Sequence, residues 1–173
     1  MKATVKRGGG KVWIEGVRPL VWAKTGTCTF AGALEAALTA TEYPYKYSDI
    51  MGFTALAFRV RWFQAQEGPG WCPSSPVGEF PEEVAAVQKA TGWRFRAEDL
   101  MREDNPKVER FAPDIVASID AGTPVLAYGK NLNVAVVYGY ENDGATMLLR
   151  DYSCGGAPPL VLPAAQLGPM VIF

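Results

Sequence analysis

The sequence contains no histidine. That absence excludes every metal site that needs imidazole and every Ser-His or Cys-His couple formed within one chain. Cysteine is scarce as well: Cys28, Cys72 and Cys154 stand 44 and 82 positions apart, with no Cys-x-x-Cys pair to hold zinc. So sparse and odd a set is no secreted disulfide framework, and the expectation is free thiols with no obligatory disulfide in a cytoplasmic setting, the sequence leaving open whether Cys72 and Cys154 meet. Neither sign of charge is in excess. Lys and Arg number 17 against 18 acidic residues, which leaves no electrostatic footprint for nucleic acid or an anionic membrane surface. No apolar run approaches the roughly 18 residues of a membrane span. The polar start Met1-Lys2-Ala3-Thr4-Val5-Lys6-Arg7-Gly8 lacks the apolar segment of a signal peptide. No metal and no cofactor are expected.

What is present is a globular composition. With 49% apolar and 20% charged residues over 173 positions, the chain buries a core without staples, and one domain over 1–173 is the natural reading. Residues 1–16 hold a predicted hairpin, two alternating runs over 3–15 around Gly8-Gly9-Gly10. The run Gly8-Gly9-Gly10-Lys11 is not a phosphate loop, because Val12 stands where a magnesium-binding hydroxyl is needed. An extended piece follows over 17–24.

Phe30, Leu34, Ala37 and Leu38 then recur at helical spacing and predict a helix over 28–40, with Thr27 as N-cap and Cys28 in its first turn. Ser48 is expected to cap a short helix through 51, and Phe58, Val60 and Trp62 alternate with Arg59 and Arg61 as a half-buried strand. Residues 66–82 carry four prolines and three glycines, a long loop expected to bring Trp71 and Cys72 toward a cleft. Pro81-Glu82-Glu83 starts a helix to about 91, and another helical stretch begins at 105, is interrupted at Pro113 and ends at Gly122. β-type runs over 124–128, 133–140, 145–151 and 169–173 complete the chain. Helices first and antiparallel strands later make the class α+β.

A cysteine in the first turn of a helix sits where backbone N–H groups and the helix dipole stabilise a thiolate, lowering its pKa from about 8.5. The same position also suits a small buried residue that packs the helix end. The segment Thr27-Cys28-Thr29-Phe30-Ala31-Gly32-Ala33-Leu34 resembles the nucleophile helix of papain-like cysteine peptidases, in particular the bacteriocin-processing branch and the related butirosin-biosynthesis protein H. Asn133-Val134-Ala135-Val136-Val137-Tyr138-Gly139-Tyr140 is similar to the strand that presents the catalytic histidine, and Leu148-Leu149-Arg150-Asp151-Tyr152 to the strand that orients it. Ser48-Asp49-Ile50-Met51-Gly52 and Ala57-Phe58-Arg59 resemble the middle of the acyltransferase branch. The resemblance implies a papain-like fold, with an N-terminal nucleophile helix packed on a C-terminal antiparallel sheet. It places Cys28 at the nucleophile position and Asp151 at the orienting position, with Thr27, Trp71 and Cys72 around the cleft.

The chain departs from that pattern where the chemistry is decided. Asn133 stands six residues before Gly139, in the histidine's place, and an amide cannot take a proton near neutral pH. Trp22 stands six residues before Cys28, where papain keeps an oxyanion glutamine. Lys24 and Lys130 are the substitute bases within sequence reach, and both also read as solvated surface charges. Asp151 has two candidate partners, Asn133 or the turn after its own strand. The expected function is a binding or regulatory module without an intact triad, its cleft at Cys28 taking a small molecule or peptide. The alternative is a thiol enzyme, an acyltransferase or amide hydrolase, with Cys28 as nucleophile. Neither nucleic acid nor a membrane is expected as partner, and the sequence leaves oligomerisation open.

Overall fold

The computed structural model describes residues 3–41, 45–58, 80–94, 96–99, 108–129, 133–156, 158–168 and 170–172. Strands β1 (Val5–Gly8) and β2 (Lys11–Ile14) form the expected N-terminal hairpin, in the register Val5↔Ile14 to Gly8↔Lys11. Three helices follow, α1 (Thr29–Thr39), α2 (Tyr47–Phe53) and α3 (Phe80–Thr91). The short strand β3 (Ala97–Asp99) leads to a single 3-10 turn and helix α4 (Ala112–Asp120). The remaining strands are β4 (Val125–Tyr128), β5 (Val134–Glu141), β6 (Thr146–Arg150), β7 (Leu160–Pro163) and β8 (Met170–Ile172). The fold is α+β, with α1 lying on one antiparallel sheet of eight strands.

Strand β5 organises that sheet. One edge pairs with β4 through Val134 to Val137 and then with β2 through Gly139 to Glu141; the other pairs with β6. The path β1-β2-β5-β4-β8-β3 runs along the sheet, and β6 and β7 extend it from the other side of β5. Because helices or loops cover both faces, Val134 to Tyr140 are all buried, and the strand reads as a continuous apolar run instead of an alternating one.

Helix α1 is embedded nearly all round. Phe30, Leu34 and Leu38 are its large buried side chains, while Ala31, Gly32, Ala33, Ala36 and Ala37 are small and buried as well, so neighbouring elements can approach closely. Its polar position, Glu35, pairs with Arg18. Truncating a wholly buried leucine such as Leu34 costs about 2–5 kcal/mol at a site of this kind.

Several sequence expectations are corrected. Thr27 is exposed and does not cap α1; Cys28 itself is the N-cap, extended at φ −88° and ψ 107°, and its carbonyl accepts the first helical bond from Gly32. Ser48 lies inside α2, whose start is closed by Asp49 Oδ2 accepting from the Lys46 N–H at 3.0 Å. The piece over 17–24 ends in a turn at Val21, because Ala23 takes a left-handed φ of 62° and both Lys24 and Thr25 donate to the Val21 carbonyl. Pro113 does not interrupt α4 but sits in its first turn, where its missing N–H costs no helical bond. Phe58 lies in a turn, donating to Ala55, and the other positions of the strand read over 58–62 lie outside the described residues. So do Trp71, Cys72 and Lys130. Strands β3 and β7 carry no period long enough to announce them; both are held by pairing with β8 and β6.

Candidate functional site

The start of α1 meets the start of β5. The N–H of Val134 donates to Thr29 Oγ1 at 3.2 Å, which ties the residue after Cys28 to the residue after Asn133 across 105 positions of sequence. Asn133 is half-buried, and among the described residues its side chain has no hydrogen-bond partner. Its carbonyl accepts from the Gly129 N–H at 2.9 Å, closing the loop between β4 and β5.

Gly129 connects this strand start to Asp151. A β-carbon at 129 would overlap Asp151 Oδ2 on one side and touch the Ala135 Cβ on the other. Asp151 is almost wholly buried. Its Oδ1 accepts from the Ser153 N–H at 2.7 Å, so of its two candidate partners the carboxylate takes the turn after β6. Its Oδ2 has no hydrogen-bond partner among the described residues. A buried carboxylate oxygen in that state carries a desolvation cost that packing alone does not return.

Cys28 is 4% exposed. Burial pushes its thiol pKa up; the N–H groups of Ala31 and Phe30 at the helix start pull it down, and the charge of Glu83 pushes it up again. Burial is the largest of these effects. Glu83, fully buried on α3, is therefore the carboxylate felt by the sulfur. In the sequence it reads only as an acid near the positive end of a helix.

Two tyrosines bracket the cysteine. The Cys28 N–H donates to the Tyr47 hydroxyl at 3.0 Å. The Tyr47 ring lies over Gly26, where a β-carbon would overlap it and where φ is +105°, so only glycine admits both the backbone and the ring. On the other side Tyr152 places its hydroxyl over Gly32 and donates to the Thr25 carbonyl at 3.5 Å. Burial pushes the Tyr152 pKa up to about 12, and the nearby Cys28 and Tyr47 add to the rise. Trp22 meets the Tyr152 ring edge-on, with centroids 5.7 Å apart, and remains 48% exposed. Neither tyrosine was marked by the sequence; a Gly at 26 with an aromatic 21 positions later carries no periodic signal.

Among the described residues no group of His, Cys, Asp or Glu side chains could hold a metal ion. Cys28 and Cys154 are free thiols. No described helix is long and apolar enough to cross a membrane.

No protein-family model matches this sequence, and no curated protein matches it. Among solved structures, the chain is similar to UfSP from C. elegans, with a TM-score of 0.49 and 13% identity over 96% of this chain. The match covers 34% of that protein, so the chain spans about a third of its length.

Proposed function

We propose that this chain is a papain-like protein that has lost its catalytic histidine and serves as a binding or regulatory module, with a small molecule or peptide held at Cys28. The observation that carries the reading is the state of the thiol: Cys28 is buried and its pKa is raised, the reverse of what a nucleophilic cysteine needs. Three features support the papain-like part. A cysteine stands at the start of a buried helix, that helix lies on an antiparallel sheet, and the strands of Asn133 and Asp151 follow in the order that the family uses. At the histidine's position the half-buried Asn133 brings an amide that cannot accept a proton near neutral pH. A cytoplasmic location fits the free thiols of Cys28 and Cys154.

The pH dependence of Cys28 alkylation by iodoacetamide tests this, with peptide mapping to separate it from the other two cysteines. The expected half-maximal rate lies above the ordinary thiol value of about 8.5. A midpoint below 7 would overturn the reading in favour of an active thiol enzyme. That second reading has one observation behind it: the Ala31 and Phe30 amides already draw the pKa of the sulfur downward, as helix N-termini do for reactive thiols.

A further inference from the structure

Acyl chemistry at a helix-start cysteine needs an N–H that can receive the negative oxygen of a tetrahedral intermediate, with the donor nitrogen about 2.7–3.1 Å from that oxygen. The papain-like resemblance implies that Trp22 stands in sequence where a side-chain amide would contribute a second donor, which leaves the backbone N–H of Cys28 for that task. That N–H is already taken. It donates to the Tyr47 hydroxyl oxygen at 3.0 Å.

We propose that the Tyr47 hydroxyl is a built-in occupant of the oxyanion position at Cys28, closing the thiol to acyl transfer until the phenol swings away. The inference rests on the papain-like reading of Cys28 and adds a regulating contact to it.

The contact is built from several places in the chain. Tyr47 is the first residue of α2, and the cap between Asp49 and the Lys46 N–H fixes the backbone from which its side chain leaves. Ile50, one turn on, is wholly buried and anchors the helix. Gly26 vacates the space into which the ring fits. Tyr47 is itself only half-buried, so its ring has a solvent side toward which it can rotate. Release would leave the Cys28 N–H to be satisfied by water or by a ligand oxygen in place of the phenol. A ligand that brings a carbonyl or carboxylate oxygen to this point makes the same bond that Tyr47 gives up.

The test compares two reactions of the same sulfur in the natural protein and in Tyr47→Phe. With p-nitrophenyl acetate, the Cys28 thiolate attacks the carbonyl carbon and forms a C–S bond. The carbonyl pair moves to oxygen and returns as the C–O bond breaks, p-nitrophenolate leaves with that bond's electrons, and the thiol proton passes to buffer. With iodoacetamide, sulfur displaces iodide at a saturated carbon and no oxyanion forms. The ratio of acylation to alkylation at Cys28, read by peptide mapping, isolates the N–H. An oxyanion donor is typically worth on the order of 100-fold in rate, so the ratio should rise by about 10-fold or more in Tyr47→Phe.

An unchanged ratio, including no acylation in either protein, overturns the proposal. A lower ratio also overturns it, since the phenol would then be acting as a donor to the oxyanion. Should Tyr47→Phe fail to fold, Tyr47→Leu also lacks the hydroxyl and carries the same outcomes. The alkylation profile alone decides the reading of the thiol, whereas the ratio decides the role of Tyr47 whichever way that profile falls.

Discussion

Asp151 Oδ2 lies against the α-carbon of Gly129, so close that a β-carbon there would overlap it. The end of β4, the loop into β5 and the turn after β6 thus share one point, where a buried carboxylate fills the space of a missing side chain. Gly129→Ala should destabilise the protein by about 2–4 kcal/mol, because its new methyl must displace either the buried carboxylate or the strand end. Urea unfolding monitored by circular dichroism measures this, and a change below about 0.5 kcal/mol would refute the contact.

Asp151 itself separates two contributions. Asp151→Ala removes the acceptor that caps the Tyr152–Cys154 turn through the Ser153 N–H and should cost about 1–2 kcal/mol, as caps do. Asp151→Asn keeps that acceptor and replaces with an amide group the second oxygen, which has no partner among the described residues. It should be within about 1 kcal/mol of the natural protein. If the two variants lose equal stability, the carboxyl group itself is needed and not the turn acceptor alone.

Asn133→His introduces an imidazole at the strand start that the Val134–Thr29 hydrogen bond holds against α1. Alkylation of Cys28 at pH 6 should become at least about 10-fold faster, since a histidine partner can lower a thiol pKa by several units. A folded variant with an unchanged pH profile would show that residue 133 and the sulfur are not partners.

Alkaline stability follows from the raised pKa values. Tyr152 at about 12 is held neutral in the fold, whereas an unfolded tyrosine ionises near 10. A folded pKa above the unfolded one contributes stability that is full below pH 10 and is lost as pH climbs toward 12. The shift corresponds to roughly 2–3 kcal/mol. Cys28, Tyr138 and Tyr140 are raised as well and act in the same direction. The urea midpoint should therefore fall between pH 9 and 11.5, and Tyr152→Phe should flatten part of that fall. Equal slopes for both proteins would contradict the assignment to Tyr152.

The parts of the fold legible in the sequence were those with a strong local pattern. The Gly8-Gly9-Gly10 hairpin, the apolar spacing of Phe30, Leu34 and Leu38, and the β-type run of 133–140 all became elements close to their expected bounds. Helix starts are less legible. Thr27 looked like a cap because its residue type favours the role, but the left-handed turn at Gly26 and the Tyr47 ring over it set the chain so that Cys28 caps instead. The groups that surround the sulfur were out of reach for another reason. Glu83, Tyr47 and Tyr152 belong to three separate elements, and only the packing of α2, α3 and the turn after β6 around α1 assembles them.

The hairpin of the first 14 residues does not close on its neighbours in sequence: β2 pairs with β5, Lys11 opposite Glu141 and Trp13 opposite Gly139. During synthesis the β1–β2 hairpin must therefore wait without a sheet to join until about 130 further residues have been made, and α1 waits 105 positions for the strand it covers. Loop closure of that span is paid before any of the sheet's contacts form, which makes folding slow relative to helical proteins of equal size. Through that interval the apolar face of α1 and the unpaired edge of β2 are exposed together, so the newly made chain is at its most vulnerable to aggregation just before β5 arrives.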